Sequence, residues 1–318
     1  MTELCKNLKV AVLMGGVGSE REISLESGRC VVEALQQSPW EILAIDIHPD
    51  SLDCLDDPSI NVFFPALHGV FGEDGQLQGE LEQRQVSYVG SSPAACSLTF
   101  DKMATKQVAT AAGVPTPEAL TYTLDCSEKE LMETLLSWGQ RWIVKPICQG
   151  SSVGVSIVEN VTEALAAARA VHEQFGDCMV EQFVAGRELT VGVLLGETLP
   201  VIEVCTQQDF YDYQAKYEDD QTQYLFDTLP ADATQELQAY AATCFSTLGL
   251  RHFGRIDFML DEDEHPWLLE ANAIPGLTSH SLLPKGAQRM GTSMADMCRY
   301  LVEAALPSRA MTRNNASL

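Results

Sequence analysis

The sequence HFGRIDFMLDEDEHPWLLEAN, residues 252–272, contains two largely apolar segments on either side of an acidic turn. Two such segments joined by a short polar turn predict a β-hairpin. With the turn centred on Asp263 and Glu264, antiparallel pairing sets Asp257 opposite Glu270. The same register predicts three further pairs, Arg255–Asn272, Phe258–Leu269 and Leu260–Trp267.

This register places four polar side chains on one face of the hairpin, because strand side chains alternate between faces. They are Arg255, Asp257, Glu270 and Asn272. Two carboxylates that face each other repel unless a cation lies between them. Carboxylate and amide oxygens suit Mg²⁺, which also binds substrate phosphates. Arg255 offers an alternative, since its guanidinium could neutralise the carboxylates without any metal. The segment therefore predicts either a magnesium site or a solvated polar face.

A second polar feature is the sequence VKPICQGSSVG at residues 144–154, where Lys145 ends an apolar strand. The turn from Gly150 to Gly154 lets a ligand approach the backbone and can align several N–H groups as an anion cradle. A lysine beside such a cradle suggests phosphate. The order of residues differs from that of a P-loop, in which the lysine follows the glycines.

The first third of the chain alternates predicted strands and helices. Residues 10–14 form a continuous apolar run that ends in two glycines, as buried parallel strands do. Apolar residues at helical spacing follow over residues 23–35. Two further strands are expected at 41–47 and 61–67, and a helix at 76–85. This alternation predicts a doubly wound α/β domain.

The remaining sequence predicts mixed α/β structure. A single helix is expected over residues 95–112, and the capping-box spacing of Ser127 and Glu130 predicts another over 128–138. Residues 206–230 show neither helical nor strand period and contain several aromatic residues, which predicts a functional lid loop. Further strands are expected at 141–146, 153–158, 178–184, 189–195 and 199–204, with helices at 162–175 and around 237–248.

Composition limits the possible partners and the cellular location. The 318 residues carry a formal net charge of −25, which argues against nucleic acid or an anionic membrane as a partner. An anionic ligand would need local lysines, arginines or metal ions. The ten cysteines include no C-x-x-C pair, which predicts buried free thiols rather than a disulfide framework. The N-terminal apolar run is too short for a signal peptide or a membrane span, so we expect a cytoplasmic protein.

Eight motifs occur along the chain in the order seen in one family. They are SEREISL, ALHGVFGEDGQLQG, FDK, IVKP with GSSVG, FYDYQAKY, GRIDFML, LLEANAIPG and LTSHSLLP. From about Lys9 to Leu306 the sequence resembles the D-alanine–D-alanine ligases of the ATP-grasp superfamily. The resemblance implies an α/β ATP-grasp fold of three α/β domains. These would be an N-terminal Rossmann-like domain, a central domain and a C-terminal domain, at residues 1–100, 101–187 and 188–318.

The resemblance also implies a nucleotide site and a metal site. Two Mg²⁺ or Mn²⁺ ions would be held by Asp257, Glu270 and Asn272, which are the residues that the predicted hairpin brings together. ATP would be bound by residues of the flap, the adenine pocket and the lid, namely Lys102, Lys145, Ser151, Ser152, Val153, Glu181, Phe183, Val184, Glu188, Phe210 and Lys216.

The implied reaction joins two D-alanine molecules through an acyl phosphate, releases ADP and phosphate, and supplies peptidoglycan precursors. Glu20 would bind the first ammonium group and form a polar chain with Ser151 and Tyr217. Arg255 would stabilise the tetrahedral intermediate. The resemblance further implies a homodimer that binds small molecules, and the net charge argues against nucleic acid and membrane. The remaining substrate contacts would come from His68, Gly276, Ser281 and Leu282.

Three alternatives remain open. A ligase of the same family could use D-serine or D-lactate as the second substrate, although Tyr217 argues against D-lactate. A non-catalytic ATP-binding relative is disfavoured by Glu20, Arg255 and the three candidate metal ligands. An NAD-dependent oxidoreductase would depend on GGVGSE at residues 15–20, which lacks the third glycine of G-x-G-x-x-G.

Overall fold

The structure is a computed structural model that describes residues 7–124, 127–150, 153–206 and 222–307. Over these residues the strands form three separate sheets, which follow one another along the chain. No helix within these ranges is long and apolar enough to cross a membrane.

The first sheet is parallel, with β1 (Lys9–Gly15) between β2 (Glu41–Ile47) and β3 (Val62–Pro65). The helices α1 (Arg21–Leu35) and α2 (Gln76–Gln83) follow β1 and β3 in sequence. The central part of β1 is fully buried, because parallel strands are covered on both faces. The predicted alternation of strands and helices is therefore present.

The second sheet is antiparallel, in the order β4-β7-β5-β6. The N-terminal ends of its two helices are capped by Ser127 and Asn160, whose side chains accept backbone N–H groups of the first turn. Both helices share one hydrophobic core with the sheet. The elements are β4 (Ala119–Tyr122), α5 (Glu128–Trp138), β5 (Trp142–Pro146), β6 (Ser156–Val158), α6 (Val161–Phe175) and β7 (Cys178–Gln182).

The third sheet is also antiparallel, in the order β11-β10-β8-β12-β13, with β9 beside β8. The helix α7 (Ala231–Thr247) contributes Leu237, Ala241 and Cys244 to the same core. The strands are β8 (Gly186–Leu194), β9 (Glu197–Thr198), β10 (Ile202–Cys205), β11 (Gln223–Phe226), β12 (Phe253–Asp261) and β13 (Pro266–Asn272).

The predicted lid at residues 206–230 is wrong at its C-terminal end. There β11 pairs with β10, and its Tyr224 and Phe226 pack at the edge of a small core that contains Leu282. Alternation over only four residues is too short a signal to stand out in the sequence. Residues 207–221 lie outside the described part of the chain.

The predicted single helix over residues 95–112 is two helices, α3 (Pro93–Phe100) and α4 (Lys102–Ala111). Asp101 separates them because its backbone leaves the helical region, at φ −86° and ψ 104°. Its side chain accepts the N–H of Ala104 at 2.8 Å and thereby begins α4.

Two C-terminal helices complete the described structure, α8 (Leu282–Arg289) and α9 (Met294–Ala305). Leu301 of α9 belongs to the same core as Val31 of α1, so α9 packs against α1. The domain division at residues 1–100, 101–187 and 188–318 stays a proposal.

The hairpin register is as predicted near its open end and different near its turn. Asp257 pairs with Glu270, whereas Phe258 pairs with Leu268 and Leu260 pairs with Pro266. The turn is centred on Asp263 alone, with Glu264 in the left-handed region at φ +62°. Leu269 is the extra residue of a β-bulge, which restores the predicted pairing beyond it, including Arg255 with Asn272.

The eight described cysteines are all free thiols, as predicted, but only four of them are buried. The buried ones are Cys96, Cys178, Cys244 and Cys298. Cys148 is exposed, which contradicts the prediction for this residue. It lies two residues beyond the end of β5, outside the strand whose packing buries Val144 and Pro146.

Candidate active site

Two adjoining cavities share three lining residues, Lys102, Gln149 and Glu270. The larger cavity has a volume of about 390 Å³ and is lined by residues of the second and third sheets. The smaller one has a volume of about 80 Å³ and is lined mainly by polar groups. Ligand pockets usually span about 300–1,000 Å³, so the larger cavity is of a size for a small-molecule ligand.

The larger cavity brings together seven of the residues that the sequence assigned to nucleotide binding. They are Lys102, Lys145, Val153, Glu181, Phe183, Val184 and Glu188. The structure thus places their side chains around one space, and their roles stay predictions. The other four, Ser151, Ser152, Phe210 and Lys216, lie outside the described residues, as does Tyr217.

A buried group of charges lies at one side of this cavity. In the register of β5 and β7, Ile143 pairs with Glu181, so Lys145 lies two residues further on the same face. The Nζ atom of Lys145 donates to Oε2 of Glu181 at 2.6 Å. The sequence did not indicate the second partner, Lys106 of α4, whose Nζ lies 2.5 Å from Oε1 of the same carboxylate.

Phe183, in the wall of the larger cavity, also contacts Arg141. The guanidinium carbon of Arg141 lies 4.2 Å from the centre of the Phe183 ring, a cation–π contact. Gln182 also lines the cavity, and its Nε2 donates to the carbonyl oxygen of Trp138 at 3.2 Å. These contacts fix the position of the strand end that borders the cavity.

The predicted metal ligands Asp257 and Glu270 lie directly opposite each other, and each has a cationic neighbour. Arg255 contacts Asp257 through Nε at 2.9 Å and through Nη2 at 2.7 Å. Lys102 Nζ lies 3.6 Å from Oε2 of Glu270. Arg255 and Lys102 thus lie close enough to reduce the repulsion between the two carboxylates, and the role of these carboxylates as metal ligands stays a prediction.

Other contacts hold the hard oxygen donors in place. Thr190 Oγ1 donates to Oδ1 of Asp257 at 2.5 Å, and the N–H of Ile274 donates to Oδ1 of Asn272 at 2.9 Å. No group of three or more His, Cys, Asp or Glu side chains suited to a metal occurs within the described ranges. The candidate set combines two facing carboxylates with an amide oxygen, which is a donor set that fits Mg²⁺.

The smaller cavity brings together all six residues that the sequence assigned to amino-acid binding. They are Glu20, His68, Arg255, Gly276, Ser281 and Leu282. Arg255 therefore contacts the metal-ligand candidate Asp257 and also borders this second space. The predicted metal ligands and the predicted amino-acid-binding residues therefore meet at Arg255.

Glu20 is buried, and it precedes α1 without capping the helix through its side chain. The carboxylate lies instead against two glycines from different parts of the chain. A Cβ atom would lie 2.6 Å from Oε2 if added to Gly69 and 2.8 Å from it if added to Gly150. Both positions therefore require glycine for the carboxylate to lie where it does.

His68 is buried, and both of its ring nitrogens have partners. Nε2 lies 2.9 Å from Oγ of Ser27, and Nδ1 lies 3.5 Å from Oε1 of Glu73. The N–H of Leu277 donates to Oγ of Ser27 at 3.3 Å. A chain of polar contacts thus connects the N-terminal domain to the loop that carries Gly276.

Sequence reasoning did not assign a role to Ser27 or Glu73. A signal for Ser27 was present, since it occupies the same helical face as Ile23 and Val31, where a polar residue needs a partner. The side chain of Ser281 forms a hydrogen bond within its own loop, since its Oγ accepts the N–H of Thr278 at 3.0 Å.

Two antiparallel sheets around a lysine-lined cavity, with an acidic hairpin and a small polar cavity beside it, define the ATP-grasp class of ligases. Residues 108–303 match the family model described as D-ala D-ala ligase C-terminus, and residues 53–91 match the one described as D-ala D-ala ligase N-terminus. The chain belongs to the D-alanine–D-alanine ligase family. The predicted family and fold are confirmed.

Individual relatives are similar over nearly their whole length. The D-alanine–D-alanine ligase of Bordetella pertussis is 42% identical over 313 residues, which cover 96% of this chain and 98% of that protein. The crystal structure of the Bacillus anthracis D-alanine–D-alanine ligase complexed with ATP has a TM-score of 0.82 at 28% identity, covering 94% and 97%. The VanG D-Ala:D-Ser ligase of Enterococcus faecalis has a TM-score of 0.81 at 26% identity, covering 94% and 100%.

Proposed function

We propose that this chain joins two D-alanine molecules to give D-alanyl-D-alanine for peptidoglycan precursors and converts ATP to ADP and phosphate. The observation that carries this proposal is the meeting of the two cavities at Lys102, Gln149 and Glu270. A phosphate donor in the larger cavity and an amino acid in the smaller one can react only if the two spaces are continuous.

In the first step the carboxylate of one D-alanine attacks the γ-phosphate of ATP, and ADP leaves. Both reactants are anionic, so positive charge must reduce their repulsion. Lys102 and Lys145 supply this charge from the described part of the chain, and by resemblance Lys216 supplies more. Two Mg²⁺ or Mn²⁺ ions, when bound by Asp257, Glu270 and Asn272, would neutralise the phosphate oxygens and align the transfer.

In the second step the amine of another D-alanine attacks the carbonyl carbon of the acyl phosphate. The tetrahedral intermediate then releases phosphate, and the nitrogen loses a proton. Arg255 borders the smaller cavity and stabilises the negative oxygen of this intermediate. Removing one such donor typically costs about 3–4 kcal/mol of transition-state stabilisation.

The remaining residues bind and orient the amino acids. Glu20 is buried beside the smaller cavity and receives the first ammonium group. Gly276, Ser281 and Leu282 receive the second carboxylate, and His68 orients the first substrate. Closure over the site, with Ser151 and Tyr217, would exclude the water that hydrolyses an acyl phosphate.

A direct test supplies ATP, Mg²⁺ and D-alanine, measures phosphate release, and determines the mass of the product. Dipeptide formation from D-alanine and none from L-alanine is expected. Parallel reactions that add D-serine or D-lactate determine the second substrate. D-Serine is included because the VanG relative is named a D-Ala:D-Ser ligase. A predominant mixed product would replace the proposal by that alternative, and ATP binding without any product would indicate a non-catalytic relative.

We also infer that the enzyme works in the cytosol and as a homodimer. The strongly negative net charge is consistent with small-molecule substrates rather than nucleic acid or an anionic membrane. Light scattering on the purified chain measures the oligomeric state, and a monomeric mass would reject the dimer.

A further inference from the structure

One carboxylate, that of Glu181, is shared by two buried ammonium groups. Lys106 Nζ lies 2.5 Å from Oε1 and Lys145 Nζ lies 2.6 Å from Oε2. Lys106 also donates to the carbonyl oxygen of Pro117 at 3.1 Å. The exposed fraction is 4% for Lys106 and 0% for Glu181, so solvent screens these charges little.

The charges of the three side chains do not cancel. Burial opposes ionisation of Glu181, but the lysines outweigh it and hold the pKa of the carboxyl below its ordinary value. Burial lowers the pKa of Lys106, Lys145 acts in the same direction, and the carboxylate opposes both. With all three groups ionised, two positive charges face one negative charge. Without Lys106 the remaining pair would be neutral.

We propose that Lys106 neutralises Glu181, so that the positive charge of Lys145 stays available to the phosphates of a nucleotide in the larger cavity. Lys145 and Glu181 line that cavity, whereas Lys106 lies behind them. Lys106 is therefore a positioning residue and not a catalytic one. The inference rests on the proposed function, because it takes ATP as the ligand of this cavity.

The helix α4 explains how Lys106 reaches this position. Lys102 and Lys106 are four residues apart and lie on the same side of the helix. Lys102 extends to the junction of the two cavities, where its Nζ donates to the carbonyl oxygen of Gln149 at 2.5 Å. Lys106 extends to Glu181. One helix thus supplies Lys102 to the junction of the two cavities and Lys106 to Glu181 in the wall of the larger one.

Binding of ADP to the full chain, measured by calorimetry without D-alanine, tests the inference. Lys106→Met keeps the length of the side chain and removes its charge, and we expect ADP to bind about tenfold more weakly. In a Glu181→Gln background the same substitution should change ADP affinity by less than about twofold, because no carboxylate competes for Lys145. Lys129→Gln, on the exposed face of α5, removes the same formal charge and should leave ADP binding unchanged.

An equal loss in both backgrounds would overturn the inference, since it would mean that Lys106 acts through packing. Unchanged ADP affinity in Lys106→Met would overturn it as well. If Lys106→Met does not fold, Lys106→Gln keeps a polar donor and replaces it in the same cycle. A wild-type chain that binds ADP and makes no dipeptide would reject the proposed function alone, whereas a chain that does not bind ADP would reject both.

Discussion

Asp257 lies directly opposite Glu270 across β12 and β13, and each carboxylate is already close to a cationic side chain. Two facing carboxylates would otherwise repel each other. Arg255 and Lys102 therefore reduce this repulsion. A divalent ion would compete with these two side chains for the same oxygens, which links metal binding to the positions of Arg255 and Lys102.

We expect Asp257→Asn to reduce ligase activity at least about 100-fold and to raise the Mg²⁺ concentration needed for half-maximal rate. Asparagine retains an oxygen for the contact with Thr190 but loses the charge that attracts a hard cation. Initial rates over a range of Mg²⁺ concentrations measure both effects. Asp263→Asn, in the exposed turn of the same hairpin, is the matched control. An unaltered Mg²⁺ dependence in Asp257→Asn would remove this residue from the metal site.

Ser27→Ala should raise the KM for D-alanine several-fold and leave the KM for ATP unchanged. The substitution removes the link between His68 and the N–H of Leu277, and a buried polar group without a partner costs about 1–3 kcal/mol. Ser24→Ala is the matched control, because Ser24 is equally buried on the same helix and its Oγ donates to Ala66. Steady-state kinetics with each substrate varied in turn separate the two constants. Equal effects of both variants on D-alanine would assign Ser27 to stability alone.

Gly150→Ala should weaken D-alanine binding at least about tenfold, since the added Cβ would lie 2.8 Å from Oε2 of Glu20 and must displace the carboxylate. Gly150 begins the predicted phosphate turn but lines the smaller cavity and not the larger one, so ADP affinity should fall much less than D-alanine binding. Calorimetry with ADP and kinetics with D-alanine check these two statements. Gly79→Ala adds a Cβ with nothing within 4 Å and is the control. Tight D-alanine binding by Gly150→Ala would show that Glu20 does not hold the substrate.

The site end of the hairpin could be predicted from the sequence, because strand alternation and charge repulsion both act on Asp257 and Glu270. The pairing near the turn could not be predicted. The turn, with Glu264 in the left-handed region, shifts the register by one residue, and the bulge at Leu269 shifts it back. Strand alternation encodes neither a turn residue with a positive φ nor a β-bulge.

Buried charge was harder to predict than fold. Lys106 occupies an ordinary polar position of an amphipathic helix, and only the packing of α4 against Glu181 shows that it is buried. Asp101, in contrast, carried a signal, because aspartate is a preferred N-cap residue that can end one helix and begin the next. Local chemistry was thus available in the sequence, whereas contacts between distant elements, such as α4 and β7, were not.

Acid should destabilise the chain partly through His252, which connects the third sheet to the segment before α3. Its Nδ1 accepts the N–H of Gly90 at 3.0 Å, and burial together with the neighbouring Arg251 lowers the pKa of His252 from 6.5 to about 4. Between these two pKa values the unfolded chain binds more protons than the folded one. The stability contributed by His252 is therefore complete above pH 6.5 and is lost as the pH falls towards 4.

His252→Asn keeps an acceptor, suits the left-handed backbone at φ +66° and does not titrate. We expect this variant to show a smaller loss of unfolding free energy between pH 7 and pH 4 than the wild type, measured by urea unfolding. Gln85→Asn, at another left-handed position, controls for the backbone and should retain the wild-type pH dependence. Identical pH dependence in all three proteins would show that His252 does not contribute to acid sensitivity.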